Sequence, residues 1–492
     1  SLRCFTCSAL EEVLPSRHVN LTFDIGAPQS DQEKVVGGSA GRMLGKASVV
    51  CFLVLVVVPI SSGNIIPLTK LKDPLARCLD GTHAGFYFQK ATAMEHADSW
   101  IIHFMGGGEC ANTDQCDYRL TENLGSSKYW PDTVNFTAAH DDKPPSFADS
   151  WNGDGVMGPG SSITTDWSLY GWWILDDSET TNPDMHGWNH VFLPYCSQDL
   201  WSGQHENPVT PVIDYHSDSK GDGYYFSGHL IVIAVMDALD KEGLKDATTI
   251  VVSGNSAGGM GMWLHLDWMA ERYVQSEVVG LSIAGFYTWN YAYTGPNAAD
   301  PKTELPDFSE ESFKGYVDLW DSFMDADCTD ALGKHPWWCM VSENALPYVK
   351  SRVYIVQAQT DRIVLQLHCR VPENPFLWNQ EVYDYIHRWH HNMSTALLHA
   401  MEAPGRHGVF SPACFRHDAF MVKSPVIDGM NFKQGFAQWL RDPKMGTYIY
   451  LDDCGEFCNP SCQLPDIKRE QHAEIRHREI TLKWDSWEHV VW

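Results

Sequence analysis

The feature that most constrains the fold is a glycine-rich turn between a strand-like run and a helix-like run. Residues 249–253 (TIVVS) are rich in β-branched side chains, and an apolar stretch with helical spacing runs on to Ala270. Between them lies Gly254-Asn255-Ser256-Ala257-Gly258-Gly259. A strand that enters a helix through Gly-x-Ser-x-Gly is typical of a nucleophile elbow, which presents the serine hydroxyl at the helix N-terminus. The alternatives are a closely packed turn or a phosphate-binding one, but no lysine follows Gly259 as a P-loop would require.

Strand-like and helix-like runs alternate along the rest of the chain. Residues 229–243 have helical spacing and end at a glycine. The runs that predict buried strands are Trp100–Phe104, His190–Tyr195, Thr249–Ser253, Val279–Ala284 and Arg352–Gln357. This alternation predicts an α/β fold, in which a mainly parallel sheet carries helices on both faces. The Gly- and Pro-rich stretch 141–188 predicts a loop or insertion.

The composition excludes several classes of protein. Apolar residues make up 44% of the 492 residues and charged residues 20%, so the chain can bury a sizeable core and is not low-complexity or disordered. The 63 Asp and Glu outnumber the 35 Lys and Arg, which gives a formal charge of −28. Because nucleic-acid binding needs a basic surface, this acidity excludes a nucleic-acid partner and weakens the case for polyanionic glycans.

The N-terminal region has the features of a secretory signal. The first methionine is Met43, and the basic start there is followed by the apolar run Ala47–Ile60 and by three small residues. This order predicts a signal peptide over 43–63, so that no stable membrane insertion follows its cleavage. The apolar run is shorter than the ~20 residues of a membrane span. Pro59 also disfavours the alternative, a retained signal anchor.

These features divide the chain into four parts. We interpret residues 1–42 as translated sequence upstream of the true initiator, before the signal peptide. Residues 64–462 are expected to form a single domain, and residues 463–492, dense in Arg, Glu and His, a charged tail. The mature protein is expected outside the cell.

The cysteines predict disulfide-stabilised loops. Eleven of the 14 cysteines lie beyond residue 63, and in an oxidising compartment they favour disulfides over metal sites. Their odd number leaves at least one thiol free or intermolecular. The pairs close enough in sequence to form are Cys110 with Cys116 and Cys328 with Cys339. A metal cluster at Cys454, Cys458 and Cys462 is the alternative, but no paired histidines at zinc spacing accompany them.

Two sequons predict glycosylation. They are Asn135-Phe136-Thr137 and Asn392-Met393-Ser394. Since glycan acceptors have to be accessible, both asparagines are expected in surface loops.

A serine nucleophile also needs hydrogen-bond donors for an oxyanion, a base and an acid that orients the base. Gly106-Gly107-Gly108 follows the first buried strand and predicts a loop that supplies oxyanion donors. The expected donors are the backbone amides of Gly107 and Gly108, together with that of Ala257. A plain turn is the alternative. Asp361 follows a later strand and is the candidate acid, because in this type of fold the acid comes after the nucleophile and the histidine last. The residues alone leave the base open among His368, His390, His391, His399, His407 and His417.

Five further sequence blocks occur in a fixed order along the chain: 106–110 (GGGEC), 120–127 (LTENLGSS), 188–191 (WNHV), 195–203 (YCSQDLWSG) and 253–259 (SGNSAGG). With these blocks in this order, the chain resembles the pectin acetylesterase/Notum family of secreted esterases. The resemblance spans most of the mature chain, from Cys78 to about His417, and implies an α/β-hydrolase-like core. The 195–203 block is closer to the Notum branch.

The resemblance implies the triad Ser256, Asp361 and His417, the last because it lies in a small-Cys-Phe-x-His block. The chain departs from the family pattern at Met105, where Glu is usual, and at Glu109, where an aromatic residue commonly precedes the cysteine. Asp361 lies in Thr-Asp-Arg rather than after an aromatic residue. These changes bear on substrate choice more than on catalysis.

The expected function is hydrolysis of a carboxylic ester through an acyl-enzyme, with no metal and no organic cofactor. By resemblance the substrate is an acylated protein that carries a palmitoleoyl group, or alternatively an acetylated polysaccharide such as pectin. A third possibility is a catalytically inactive secreted protein that binds an acylated ligand.

Overall fold

The computed structural model describes residues 64–136, 172–211, 223–300, 305, 307–403, 405–417, 424–443 and 448–462. All of them belong to the larger of the two compact units of the chain, Ser61–Trp492. The upstream segment 1–42, the signal peptide 43–63, the tail 463–492 and much of the stretch 141–188 lie outside the described residues, so the statements about them stay predictions.

The strands of the described chain are short and most are apolar. They are β1 Ile65–Lys70, β2 Gly85–Gln89, β3 Ser99–Phe104, β4 Thr133–Asn135, β5 Asn189–Leu193, β6 Thr249–Asn255, β7 Glu277–Ile283, β8 Arg352–Val356, β9 Thr360–Asp361, β10 Gly408–Ser411, β11 Phe415–Arg416, β12 Val426–Ile427, β13 Met430–Asn431 and β14 Tyr448–Leu451.

Helices connect most of these strands. The α-helices are α1 Thr113–Arg119, α2 Trp172–Leu175, α3 Gly228–Leu239, α4 Ala257–Arg272, α5 Glu310–Trp320, α6 Ala326–Leu332, α7 Ser342–Ala345, α8 Gln380–Glu402 and α9 Phe432–Arg441. A π-helical turn covers Val364–His368. The predicted helix 229–243 corresponds to α3, which continues as a 3₁₀ turn to Glu242 and ends at Gly243 with φ 114°.

A ten-stranded sheet organises these elements in the order β14-β10-β8-β7-β6-β3-β5-β2-β1-β4. The strands from β14 to β5 are all parallel, whereas β2, β1 and β4 form an antiparallel edge. Every residue of β3 and of β5 is buried, so both faces of the sheet are covered. The predicted α/β class is confirmed; the antiparallel edge is an addition that the alternation of runs did not predict.

The register brings the carboxyl ends of the central strands to one level. Phe104 of β3 lies opposite Gly254 of β6, and Asn255 at the end of β6 lies opposite Ile283 of β7. Ile283 in turn lies opposite Val356 at the end of β8. In a parallel sheet, the loops that leave these ends meet above the same edge, which is where such folds place their sites.

Within the described residues, five disulfides cross-link the chain. They are Cys78–Cys196, Cys110–Cys116, Cys328–Cys339, Cys414–Cys462 and Cys454–Cys458. The two predicted pairs are confirmed, and Cys369 is a buried free thiol. Because all three cysteines of the 454–462 stretch are oxidised in pairs, the metal-cluster alternative there is wrong.

Candidate active site

Ser256 lies at the turn between β6 and α4 in a strained backbone conformation. Its φ is 54° and its ψ is −126°, a combination that residues with a Cβ rarely adopt. The backbone N–H of Ser256 donates to the carbonyl of Ile283 at 2.9 Å, which ties the turn to the neighbouring strand β7. The side chain is half-buried. A tight strand–turn–helix connection of this kind is the one that the Gly-x-Ser-x-Gly pattern predicts.

Glycines let the turn approach its neighbours more closely than any other residue could. A Cβ on Gly254 would lie 2.0 Å from the carbonyl oxygen of Gly258, and one on Gly258 would lie 2.0 Å from that of Phe104. A Cβ on Gly106 would lie 2.8 Å from the Cβ of Ser256. The three contacts place the loop after β3 directly against the serine.

That loop has a backbone that only glycine adopts readily. Gly107 has φ 147° and Gly108 has φ 70°. The N–H of Gly106 donates to the Asn255 side-chain oxygen at 3.2 Å, so the residue before the serine holds the loop's first amide. A run of consecutive amides beside a nucleophile can supply donors for an oxyanion.

The buried loop after β5 supports the glycine loop. Its residue Gln198 accepts from the Cys110 N–H at 3.0 Å, and its side chain donates to the Gly107 carbonyl at 3.5 Å. The Asp199 carboxylate accepts from the Ser197 hydroxyl at 2.6 Å and from the Gly228 N–H at 2.7 Å. Burial raises the pKa of Asp199 to about 6, an effect that these hydrogen bonds oppose. Sequence reasoning recognised this block only as a resemblance and assigned it no role.

Asp361 is fully buried and heavily hydrogen-bonded. Its Oδ1 accepts from the N–H groups of Ile363 at 3.0 Å and Val364 at 3.1 Å, and its Oδ2 accepts from the Gln357 side chain at 3.0 Å. Gln357 also accepts from the N–H of Phe286 at 3.1 Å, which connects the acid to the loop after β7. The sequence pattern identifies Gln357 only as the last residue of a predicted strand and gives no sign of this contact with the acid.

His417 contacts this carboxylate. The ring Nδ1 lies 2.9 Å from Oδ1 and 2.8 Å from Oδ2 of Asp361, because β11 pairs in parallel with β9. A carboxylate can only accept, so this contact places a proton on Nδ1 and leaves Nε2 as the basic nitrogen of the neutral ring. The side chain of His417 keeps 9% exposure, next to a carboxylate with none.

The other candidate histidines lie elsewhere. His368 contacts Glu109, and His390 bonds to the Gln359 side chain at 2.7 Å. His407 accepts from the N–H of Val353, near the amino end of β8 and so at the opposite edge of the sheet from Asp361. His391 and His399 are on the outer face of α8. Of the six candidate histidines, His417 is the one whose contact with Asp361 the structure shows, and its role as the base stays a prediction.

The sequence of the chain matches the model of a known protein family. The family model described as "Pectinacetylesterase" matches residues 61–157 and 157–463. The chain belongs to the pectinacetylesterase family. Its relatives in this family carry names of carboxylesterases and acetylesterases, and the chain is a carboxylic-ester hydrolase.

Named relatives come from both branches. The zebrafish (Danio rerio) palmitoleoyl-protein carboxylesterase notum1a is 27% identical over 428 residues, which cover 82% of this chain and 73% of that protein. Human (Homo sapiens) palmitoleoyl-protein carboxylesterase NOTUM is 26% identical, with 78% and 70% covered. Pectin acetylesterase 5 of Arabidopsis thaliana is 23% identical, with 80% and 82% covered.

A solved structure shares the fold. The structure of the Wnt deacylase Notum from Drosophila superposes with a TM-score of 0.63 and is 24% identical, covering 81% of this chain and 100% of that one. The likeness confirms the α/β-hydrolase-like architecture that the sequence resemblance implied.

The predicted glycan acceptors are both exposed, but neither is in a loop. Asn135 ends strand β4, and Asn392 lies within helix α8. The expectation of surface loops is wrong on this point, and the glycosylation of the two asparagines stays a prediction.

Within the described ranges, no helix is both long and apolar enough to cross a bilayer.

Proposed function

We propose that Ser256, His417 and Asp361 form the catalytic triad of this hydrolase. The observation that carries the proposal is the contact of His417 Nδ1 with both carboxylate oxygens of Asp361, at the sheet edge where Ser256 is held with positive φ. In the first step, Nε2 of His417 takes the hydroxyl proton as Ser256 Oγ attacks the ester carbonyl. The carboxylate of Asp361 stabilises the imidazolium that results.

The amides of Gly107, Gly108 and Ala257 then hold the oxyanion of the tetrahedral intermediate. Support comes from the position of the glycine loop against Ser256 and from the start of α4 at Ala257, where the helix dipole favours negative charge. Collapse of the intermediate breaks the ester C–O bond, and His417 gives its proton to the departing alcohol. Water, deprotonated by the same ring, attacks the acyl-enzyme and releases the acid and the free serine.

For the substrate, we propose an O-acylated protein that carries a fatty acyl group. Support comes from the names of relatives in the Notum branch, which are palmitoleoyl-protein carboxylesterases, and from the 195–203 block of this chain. The second candidate is an acetylated polysaccharide, as the name of the Arabidopsis thaliana relative indicates. The charge of −28 disfavours a polyanionic polysaccharide, because like charges repel.

We further propose that the protein acts outside the cell. Five disulfides in the described chain fit an oxidising compartment, and the predicted signal peptide provides the route.

Labelling with a fluorophosphonate tests the nucleophile. We expect the wild-type protein to be labelled at Ser256 and the Ser256→Ala variant to remain unlabelled. A folded wild-type protein that takes no label would contradict the triad and favour the inactive binding protein instead.

The acyl-chain profile with p-nitrophenyl esters tests the substrate class. We expect kcat/KM to rise from acetyl to octanoyl or longer chains. Activity confined to the acetyl ester would defeat the lipid deacylase proposal and support the polysaccharide acetylesterase.

A further inference from the structure

A buried cluster of charged and polar side chains lies behind the glycine loop. Glu109 follows Gly108 directly and is 1% exposed. Its Oε1 lies 3.5 Å from Nδ1 of His368 and accepts from the Tyr316 hydroxyl at 3.3 Å. The resemblance marked Glu109 only as a departure from the family pattern, and none of the triad chemistry uses it.

The cluster connects two loops that carry different parts of the proposed machinery. On one side, Glu109 is joined by one peptide bond to Gly108. On the other, His368 ends the π-helical turn whose first residue, Val364, donates its N–H to Asp361. Insertions of this helical type are frequent at functional sites. A continuous chain of contacts therefore runs from the acid, through the turn and His368, to the oxyanion loop.

The charges in the cluster explain why the pair has to stay together. Arg119 donates to Glu122 at 2.6 Å, so its charge is partly matched by a carboxylate other than Glu109. Burial raises the pKa of Glu109, while His368 and Arg119 act in the opposite direction. A buried charge without a partner is costly, so the contacts of Glu109 with His368 and Tyr316 favour keeping its side chain in this place.

We infer that Glu109 and His368 are positioning residues that hold the oxyanion loop at a fixed place relative to the acid-bearing segment. The inference rests on the proposed roles of Gly107, Gly108 and Asp361. Without the contact, the loop keeps its hydrogen bonds to Asn255 and Gln198 but loses its connection to the acid-bearing segment, and a displacement of about 1 Å between the two is enough to cost about 100-fold in rate. We expect the loss to fall on the transition state, because the oxyanion that the loop amides would hold forms only there.

A double-mutant cycle tests the inference. We expect Glu109→Leu and His368→Leu each to lower kcat by about 10–100-fold with KM within about twofold of the wild type. Because both break the same contact, the double variant should be no slower than the worse single variant, whereas independent effects would multiply. Glu109→Gln keeps an acceptor for Tyr316 and His368 and should retain kcat within a few-fold of the wild type.

The matched control is a buried carboxylate at the other edge of the sheet. Asp267 on α4 accepts from the N–H groups of Lys350 at 2.7 Å and Ser351 at 3.0 Å, just before β8 begins. Asp267→Leu should lower the thermal midpoint without changing kcat. Should it lower kcat as much as Glu109→Leu does, the effect at Glu109 would be one of general stability.

Further outcomes would overturn the inference. These are multiplicative losses in the cycle, a rise in KM at constant kcat, or a Glu109→Gln variant as slow as Glu109→Leu. If a leucine variant fails to fold, the same cycle with Glu109→Ala and His368→Ala decides the question, because both truncations remove the contact; multiplicative losses of kcat in that cycle would again overturn the inference. Loss of the proposed function is distinguished separately, because a fully active Ser256→Ala variant would contradict the triad whatever the cycle shows.

Discussion

The turn that carries Ser256 and the segment that carries Asp361 follow strands of the same sheet, yet different contacts hold them. The serine turn depends on backbone packing, in which Gly254, Gly258 and Gly106 remove every Cβ from the closest approaches. The acid segment depends on several hydrogen bonds to one carboxylate, from the side chains of Gln357 and His417 and from two backbone N–H groups. Steric exclusion is nearly all-or-none, whereas a set of hydrogen bonds can lose one member and keep the rest. We therefore expect sharp losses on the serine side and graded losses on the acid side.

Removal of the nucleophile should have the largest effect. Ser256→Ala should lower kcat by about 10⁴-fold or more, because no other group forms the acyl-enzyme. Single-turnover and steady-state ester hydrolysis measure this loss. The control is Ser276→Ala. Ser276 directly precedes β7, at the amino edge of the sheet, and its hydroxyl donates to the Ala247 carbonyl. The kcat of this variant should equal that of the wild type.

On the acid side, Asp361→Asn should cost about 10²–10⁴-fold in kcat. The amide would present a donor toward Nδ1 of His417 and stabilise the wrong tautomer. The backbone donors from Ile363 and Val364 remain, so the variant should stay folded, as near-ultraviolet circular dichroism would show. An Asp361→Asn variant with wild-type kcat would remove this residue from the triad.

On the serine side, one methyl group should be enough to disable the turn. Gly258→Ala would place a Cβ 2.0 Å from the Phe104 carbonyl oxygen, so the backbone has to move and kcat should fall by more than about 100-fold. Gly315→Ala is the matched control, since nothing lies within 4 Å of its added Cβ and it is in helix α5. That variant should keep full activity and gain slightly in stability. Equal behaviour of the two variants would contradict the steric account.

Loss of a single hydrogen bond to the acid should be milder. Gln357→Leu removes the donor to Asp361 Oδ2 and leaves its other partners in place. A hydrogen bond to a charged group is worth about 1.5–3 kcal/mol, which corresponds to about 10- to 150-fold in kcat. A loss as large as that of Asp361→Asn would show that the acid side is as intolerant as the serine turn.

The two regions should also differ in their response to acid. His103 on β3 contacts Ser253 on β6, and burial lowers the pKa of this histidine to about 4. His103 therefore takes up a proton near pH 6.5 in the unfolded chain but only near pH 4 in the folded protein. Stability from this group is complete above about 6.5 and is lost as the pH falls toward about 4.

On the acid side, the corresponding loss of stability occurs at lower pH. Glu456 bonds to His387 on α8, and although burial alone would raise its pKa, the contacts with His387 and His390 lower it to about 2. Stability from Glu456 is complete above pH 4.5 and is lost as the pH falls toward about 2. Urea unfolding should therefore show that His103→Asn flattens the pH dependence between 6.5 and 4, and Glu456→Gln only below 4.5. Interchanged windows would contradict this assignment.

Much of the fold could be predicted because its signals are local. The β-branched run of β6 and the apolar spacing of α4 are read within a few residues, as are the glycines that flank Ser256. The antiparallel edge of β2, β1 and β4 could not be predicted, because alternation of runs says nothing about strand direction at an edge. The helical position of Asn392 could not be predicted from its sequon, because a sequon carries no information about helix formation.

The histidine partner shows the same limit within the site. Residue chemistry left six histidines open, and only family resemblance singled out His417 before the structure placed it against Asp361. Gln357 and the pair of Glu109 with His368 escaped notice, since no short motif marks a residue whose partner is far away in the chain.

The sequence by itself determined that this chain folds around a parallel sheet, carries a strained serine turn and has cysteines to pair, because backbone propensity and steric demand act between near neighbours. Only the tertiary structure decided which imidazole meets the acid. That contact joins residues 56 apart and depends on β11 pairing with β9, directly after the paired strands β10 and β8 of the large sheet, an arrangement that tertiary packing selects.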